Sequence, residues 1–161
     1  SGSTTRPKLA APDGVDPNWI AYRDPDSTFL IWHPPSWVVH RSGTSTDITD
    51  PETGTRLRVE HHAPVPPPVD AEWLPAEATF AASHSDYVRL QMAATTYGGA
   101  PAAIWEYIYS DDGVPLHAAN LGFSTPRKGY ALSFQAPNQD WERDVPLFTG
   151  FKTSFRIPPD R

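Results

Sequence analysis

The sequence contains no cysteine, which excludes disulfide bonds and thiolate-ligated metal sites. Cysteine-free chains occur on both sides of a membrane, so redox chemistry does not indicate a compartment. No apolar run approaches the roughly 18 residues that a membrane-spanning helix needs, and no basic segment followed by an apolar one opens the chain as a signal peptide would. We therefore expect a soluble segment, with any membrane tether supplied by upstream sequence.

Positive charge is also scarce. Thirteen lysines and arginines stand against 19 aspartates and glutamates, which gives a formal net charge of -6. This charge repels phosphate backbones and anionic lipids. Nucleic acid is therefore not an expected partner.

The familiar catalytic motifs are missing as well. The sequence has no glycine-rich phosphate loop, no GxSxG nucleophile elbow, no HExxH zinc motif and no EF-hand calcium loop. The absence favours a binding or sensing domain without a catalytic residue, a cofactor or a metal site.

The 161 residues are 39% apolar and 12% aromatic, enough for one hydrophobic core. Residues 1–18 are rich in proline and small polar residues, and Ser1-Gly2-Ser3 is typical of a cleaved purification tag. We predict a linker with a tag remnant over 1–18, one domain over 19–157 and a tail over 158–161.

Short aromatic and β-branched runs, separated by turn residues, predict a series of strands. The predicted strands are 19–23, 28–33, 37–41, 46–49, 55–61, 87–97, 102–110, 116–124 and 130–136. The long central strands are expected to be joined by residues 98–101 and 111–113.

Two segments have helical patterns. Asp70 can cap a helix that runs to Ser83 and has Pro75 in its first turns, and a second helix opens near Asn138 or Asp140. Pro146 is expected to split or kink the second helix. The pattern predicts an α+β fold with a central antiparallel sheet and helices packed on it.

Glu106 and His117 are the best candidates for chemistry. If the turn after the long central strand is centred on Asp112-Gly113, Ile108 faces His117, and Glu106 becomes the diagonal neighbour of His117 on the same sheet face. The pair then either handles a proton or orients a ligand, or it is a satisfied polar contact at the edge of the core. We favour the structural interpretation, because no nucleophile or oxyanion donor is evident beside the pair. Asn120 is expected opposite Trp105 on the other face.

Three other groups of residues are weaker candidates. His61 and His62 are adjacent on a strand and point to opposite faces, so they do not bind one metal together. The acidic turns are better explained as turn formers than as weak sites for divalent cations. Several aromatic residues could line a ligand groove, although we expect most of them in the core; they are Trp32, Trp37, Trp73, Trp105, Tyr107, Tyr109 and Trp141.

Six segments carry a family resemblance. They read, in chain order, WIAYRDPDSTFLIWHPPSW (19–37), DPETGTRLRVE (50–60), ASHSDYVRL (82–90), YGGAPAAIWEYIY (97–109), LHAANLGF (116–123) and GYALSFQAPNQDW (129–141). In this order they resemble the elements of PsbP-like domains of actinobacteria. Such domains occur as the extracytoplasmic region of transmembrane Ser/Thr protein kinases, after a proline-rich linker, and as secreted lipoproteins.

The resemblance implies a PsbP-like α/β/α sandwich, a position at the cell surface or outside the cell, and a sensing role. The expected partner is a small molecule, an envelope component or a protein. The candidate ligand-binding residues are Glu106, His117, Trp105 and Asn120. A small hydrolase-like or isomerase-like enzyme with a pocket around Glu106 and His117 is the alternative. A packed surface around the pair would count against that alternative, and a deep cavity open to both residues would favour it.

Overall fold

The computed structural model describes residues 9–26, 28–66, 71 and 73–158. Within them the strands are β1 (Ile20–Arg23), β2 (Leu30–His33), β3 (Val38–Ser42), β4 (Ser45–Thr49), β5 (Arg56–His62), β6 (Val88–Tyr97), β7 (Ala100–Asp111), β8 (Val114–Ser124) and β9 (Gly129–Pro137). The helices are α1 (Trp73–Ser83) and α2 (Trp141–Ser154). A 3₁₀ turn, Asn138–Asp140, precedes α2. The predicted α+β fold with an antiparallel sheet is therefore confirmed.

The chain divides into two compact units. The larger comprises residues 38–144, and the smaller combines the residues up to Trp37 with those from Val145 onward. The larger unit holds a seven-stranded antiparallel sheet in the order β3-β4-β5-β9-β8-β7-β6. The smaller unit holds the β1-β2 hairpin.

One predicted connection is wrong in its length. Residues 98–101 were expected to join β6 to β7, but Ala100 already pairs with Tyr97 and β7 begins there. The turn is Gly98-Gly99 alone, and both glycines have positive φ angles, 56° and 81°. Two such residues form the tight turn whose twist matches the flanking strands, so no longer loop is needed.

The helices follow the sequence pattern with one difference. α1 contains Pro75 in its first turn, where the missing N–H has no helical partner to lose. The predicted cap Asp70 lies outside the described residues. α2 contains Pro146 and is continuous from Trp141 to Ser154, so the proline does not split it.

The two faces of the seven-stranded sheet differ. One face is covered in part by α1, and we call it the α1 face; it carries Trp105 and Tyr107 of β7. The other face carries Glu106 and His117. It also bears side chains that are completely shielded from solvent, among them Ile48, Leu57, Val59, Leu132 and Phe134. The main core of this unit therefore lies on the side away from α1.

The smaller unit has an aromatic core of its own. Phe151 of α2 is fully buried, and its ring centroid lies 5.0 Å from that of Trp19 and 5.5 Å from that of Trp37. Ser154 Oγ accepts a hydrogen bond of 3.1 Å from the backbone N–H of Trp32, which fixes α2 against β2.

Part of the predicted linker contacts this unit. Among residues 9–18, Val15 is buried, and Trp32 Nε1 donates a hydrogen bond of 3.4 Å to the Leu9 carbonyl. The boundary at residue 18 stays a prediction. Among the described residues, no helix has the length and apolarity required to span a bilayer.

Candidate functional site

The Glu106–His117 contact predicted from the sequence is present. Asp111 pairs with Val114 across the turn, and Ile108 faces His117. His117 Nε2 lies 2.6 Å from Glu106 Oε2, a distance at which the imidazole N–H donates to the carboxylate. The hairpin register therefore sets this pair, as the position of Asp112-Gly113 indicated.

The surroundings of this pair are closed on the histidine side. The His117 ring lies flat against the indole of Trp141, with centroids 3.6 Å apart and planes 3° from parallel. His117 is 7% exposed, whereas the Glu106 side chain keeps 26% of its surface in solvent. His117 is thus fixed between a carboxylate and an indole, and it has little surface left for a substrate.

The other two predicted residues, Trp105 and Asn120, lie opposite each other on the α1 face. The structure therefore separates the four candidates into two pairs on opposite sides of the sheet. Trp105 is buried, and its indole N–H donates a hydrogen bond of 2.9 Å to Tyr87 Oη. Tyr87 in turn donates to Glu77 of α1 at 2.5 Å. The polar atom of Trp105 is therefore already used in holding α1.

Few side chains hold α1, which has no buried residue. Trp73 contacts Trp105, with ring centroids 5.9 Å apart, and Phe80 contacts Tyr107 and Tyr109 at 5.2 and 4.9 Å. An ion pair between Arg89 of β6 and Glu77 also connects α1 to the sheet. It lowers the pKa of the Glu77 carboxyl.

Gly122 of β8 makes room for Trp73. A Cβ atom at this position would lie 2.7 Å from Trp73 Cζ2. We expect Gly122→Ala to push the indole off the sheet and to lower the free energy of unfolding by about 1–2 kcal/mol, as overpacking does. Urea unfolding measures the loss, and faster amide exchange in α1 shows its location.

The matched control is the same substitution in a Trp73→Ala background. Without the indole, the added methyl group has no ring to displace, so its effect on stability should disappear. An equal loss of stability in both backgrounds would show that Gly122 is needed for another reason.

A polar cavity of about 250 Å³ lies on the α1 face, and we call it the basin. Its lining comes from β5, β7, β8, β9 and α1, and the shortest side chains, Ala118, Asn120 and Ser133, lie on the neighbouring strands β8 and β9. The lining residues are Arg56, Arg58, Glu60, Phe80, Tyr107, Tyr109, Ala118, Asn120, Ser133, Phe134 and Gln135. Asn120 is the one predicted site residue among them.

The strand register explains the shape of the basin. A row across the sheet joins Arg58 to Ser133, Ser133 to Asn120 and Asn120 to Trp105, so long side chains flank short ones. The next row joins Arg56 to Gln135, Gln135 to Ala118 and Ala118 to Tyr107, and its one short side chain is Ala118. Because α1 contacts the β7 side, the short side chains of β8 and β9 leave an open depression beside it.

The charged residues of β5 that line the basin were not predicted as site residues, although the sequence of the strand indicates them. Arg56, Arg58 and Glu60 alternate with Leu57 and Val59, and β5 is an internal strand between β4 and β9. An internal strand with one charged face indicates a sheet surface that no apolar layer covers.

The two arginines of the basin differ in their partners. Arg58 makes a bidentate ion pair with Asp47, with Nε–Oδ1 and Nη2–Oδ2 distances of 2.7 and 3.1 Å, and this pairing lowers the pKa of the Asp47 carboxyl. Arg56 makes no hydrogen bond or ion pair within the described part of the chain, and its Nε is buried without a partner. Among the described residues, the basin therefore contains one guanidinium that no carboxylate contacts directly.

The aromatic wall adds uncharged hydroxyl groups. Burial raises the pKa of Tyr109 to about 12, and it also raises the pKa of Tyr107, while the charge of Arg56 opposes both rises. Tyr109 donates a hydrogen bond of 2.5 Å to Gln135 Oε1. This bond occupies the amide oxygen of Gln135 and leaves the amide NH₂ as a donor. The site can thus offer charge and several hydrogen bonds to a ligand.

Two further cavities flank the polypeptide that precedes α1. One, of about 290 Å³, is lined by His62, Val65, Trp73, Gly122, Phe123, Tyr130 and Ala131. The other, of about 430 Å³, is lined by Pro64, Val65, Pro66, Pro101, Ser124, Thr125 and Pro126. Their linings contain fewer polar side chains than the basin, and Glu106 and His117 line none of these three cavities.

The histidine pair at the end of β5 has the predicted geometry. His61 is buried and His62 is exposed, because successive strand residues point to opposite faces. Among the residues that the structure describes, no three His, Cys, Asp or Glu side chains cluster as a metal site would require.

Comparisons with known proteins agree on the fold. Cyanobacterial PsbP (CyanoP) from Synechocystis is similar with a TM-score of 0.67 at 15% identity, covering 93% of this chain and 99% of that one. LpqN, described as involved in cell envelope biogenesis of Mycobacterium tuberculosis, is similar with a TM-score of 0.60 at 13% identity, covering 88% and 91%. At these identities the likeness shows a PsbP-like fold.

A search of curated proteins gave no match. A family model described as "Serine/threonine kinase C-terminal domain" matches residues 23–157, which is most of the chain. The predicted resemblance to PsbP-like domains that occur in Ser/Thr kinases is confirmed for both family and fold. This chain belongs to the family of Ser/Thr kinase C-terminal domains.

Proposed function

We propose that this chain is the sensor domain, outside the membrane, of a Ser/Thr protein kinase, and that it binds a small molecule in the basin without catalysing a reaction. The observation that carries the proposal is the basin itself. It combines a concave shape, converging polar groups and the unpaired cation of Arg56 on a rigid sheet. Such a site is suited to recognition.

The absence of catalysis is supported by the state of the Glu106–His117 pair. A general acid or base must come within hydrogen-bond reach of its substrate. One ring nitrogen of His117 is hydrogen-bonded to Glu106, and the indole of Trp141 covers one face of the ring. The pair is therefore better suited to fixing Trp141 on the sheet than to proton transfer.

The position outside the membrane rests on the family. A C-terminal domain of a kinase is a separate unit from the catalytic domain, and the similar protein LpqN is described in connection with the cell envelope. We favour a kinase over a free lipoprotein as the parent because the matching family is defined by kinases. A cavity of this size favours a small molecule over a protein as the partner.

The test uses the ¹⁵N-labelled chain and the low-molecular-weight fraction of a cell envelope hydrolysate as the probe. We expect the side-chain amide resonances of Asn120 and Gln135 to shift, because both residues line the basin. Exposed amides serve as internal controls, among them Asn18 and Gln139.

Shifts confined to residues around Glu106 and His117, or chemical conversion of a component of the fraction, would contradict the proposal in favour of an enzyme. If resonances shift elsewhere in the chain but those of Asn120 and Gln135 do not, the ligand binds a different surface and the proposal is wrong.

A further inference from the structure

We infer that the basin binds a small molecule with a single carboxylate and a hydroxyl-bearing body, with Arg56 as the residue that anchors the carboxylate. The inference rests on the proposed function and adds the chemical class of the ligand. It follows from the charge, the geometry and the size of the basin.

The two arginines of the basin differ in whether a carboxylate contacts them. Asp47 neutralises Arg58 through two hydrogen bonds, while Arg56 has no counter-charge in direct contact within the described residues. A half-buried guanidinium without a counter-ion is costly, and a ligand anion in the basin would supply one. Glu60 lines the same cavity and repels a second negative charge. One net negative charge on the ligand is therefore favoured over two.

The shape of a guanidinium suits a carboxylate, and the charge of the basin favours a carboxylate over a phosphate. A guanidinium presents Nε–H and an Nη–H as a planar fork that matches the two oxygens of a carboxylate. The neighbouring Arg58–Asp47 pair shows this arrangement, with one bond from Nε and one from Nη2. The Nε of Arg56 is shielded from solvent, so the edge that a carboxylate can reach is the one formed by the two terminal Nη groups. A phosphate carries more than one negative charge at neutral pH and would meet Glu60.

Size and lining define the rest of the ligand. A volume of about 250 Å³ lies just below the roughly 300–1,000 Å³ of typical ligand cavities, which suits a molecule no larger than a monosaccharide. The Asn120 amide, the Ser133 hydroxyl and the Gln135 amide line the basin and can exchange hydrogen bonds with hydroxyl groups of a ligand. Tyr107 and Tyr109 provide ring surface at the side.

Isothermal titration of the unmodified chain with D-galacturonate, D-galacturonamide and inorganic phosphate tests the inference. The acid and its amide differ in one charged group and share their hydroxyls. We expect the acid to bind at least tenfold more tightly than the amide, which loses the charge-assisted pairing, and than phosphate, whose additional negative charge meets Glu60.

Arg56→Gln should weaken galacturonate binding about tenfold to a hundredfold, which is the range for a hydrogen bond to a charged group. Arg127→Gln, in the exposed turn between β8 and β9, removes the same charge away from the basin and should leave the affinity unchanged. If Arg56→Gln does not fold, the comparison of acid and amide on the unmodified chain decides the question.

Equal affinity for acid and amide, tighter binding of phosphate, or full affinity in Arg56→Gln would overturn the inference. Failure of galacturonate to bind, while the envelope fraction still shifts the Asn120 and Gln135 amides, would overturn the ligand class and leave the proposed function standing. Failure of both probes would overturn both.

Discussion

Replacing His117 with alanine is expected to lower the free energy of unfolding by about 2–3 kcal/mol and to leave ligand binding in the basin intact. The substitution removes a buried ring stacked 3.6 Å from Trp141 and the hydrogen-bond partner of Glu106. A cavity remains beneath the indole, and the carboxylate loses its charge-assisted bond. Urea unfolding measures the change, and titration of the basin tests binding in the same variant.

His40→Ala is the matched control, because His40 is exposed on β3 and its removal should change stability by less than about 0.5 kcal/mol. Glu106→Gln keeps the shape and an acceptor, and it should cost less than His117→Ala. If His117→Ala left stability unchanged and abolished binding of a ligand selectively, the structural role of the pair would be wrong and the enzyme alternative would gain support.

Phe151→Ala is expected to have the largest effect on stability, about 3–5 kcal/mol. Phe151 is fully buried, and Trp19 and Trp37 pack against its ring at 5.0 and 5.5 Å. Truncation leaves a cavity that two rigid indoles cannot collapse to fill. Thermal unfolding followed by tryptophan fluorescence measures the loss at the site itself.

Two variants calibrate that result. Phe151→Leu retains most of the side-chain volume and should cost less than half as much. Leu74→Ala removes a large apolar side chain that is 52% exposed on α1, and it should cost under about 1 kcal/mol. A loss for Phe151→Ala no greater than that for Leu74→Ala would contradict the aromatic core described for the smaller unit.

The parts of this structure that the sequence predicted are those set by local chemistry. Asp112-Gly113 can form a tight turn, and strand alternation on either side of it then places Glu106 beside His117 and Asn120 opposite Trp105. Both contacts could be derived from residue spacing alone. The Gly98-Gly99 turn was misjudged in length, because Ala100 and Pro101 are poor strand formers that the edge pairing with β6 nevertheless accommodates.

The basin could not be predicted in the same way. Its existence depends on α1 contacting the β7 side of the sheet, and this position follows from the fit of Trp73 against Gly122 rather than from the helix's own pattern. Within the described ranges, Arg56 has no carboxylate in contact because the Asp47 carboxylate pairs with Arg58 instead. That choice is made by the β4-β5 register, which pairs Asp47 with Arg58 and Thr49 with Arg56. A shift by two residues would have exchanged the two roles.

The most direct test of the account is the NMR signal of the arginine Nε–H groups during titration with D-galacturonate. Arg56 and Arg58 lie two residues apart on one face of β5, and each signal can be assigned by its loss in the glutamine variant. We expect a large shift of the Arg56 Nε–H signal when a carboxylate binds the Nη groups of the same guanidinium, while the Arg58 Nε–H, already bonded to Asp47 at 2.7 Å, changes little. An unchanged Arg56 signal at a galacturonate concentration that saturates the chain would contradict the assignment of the basin as the ligand site.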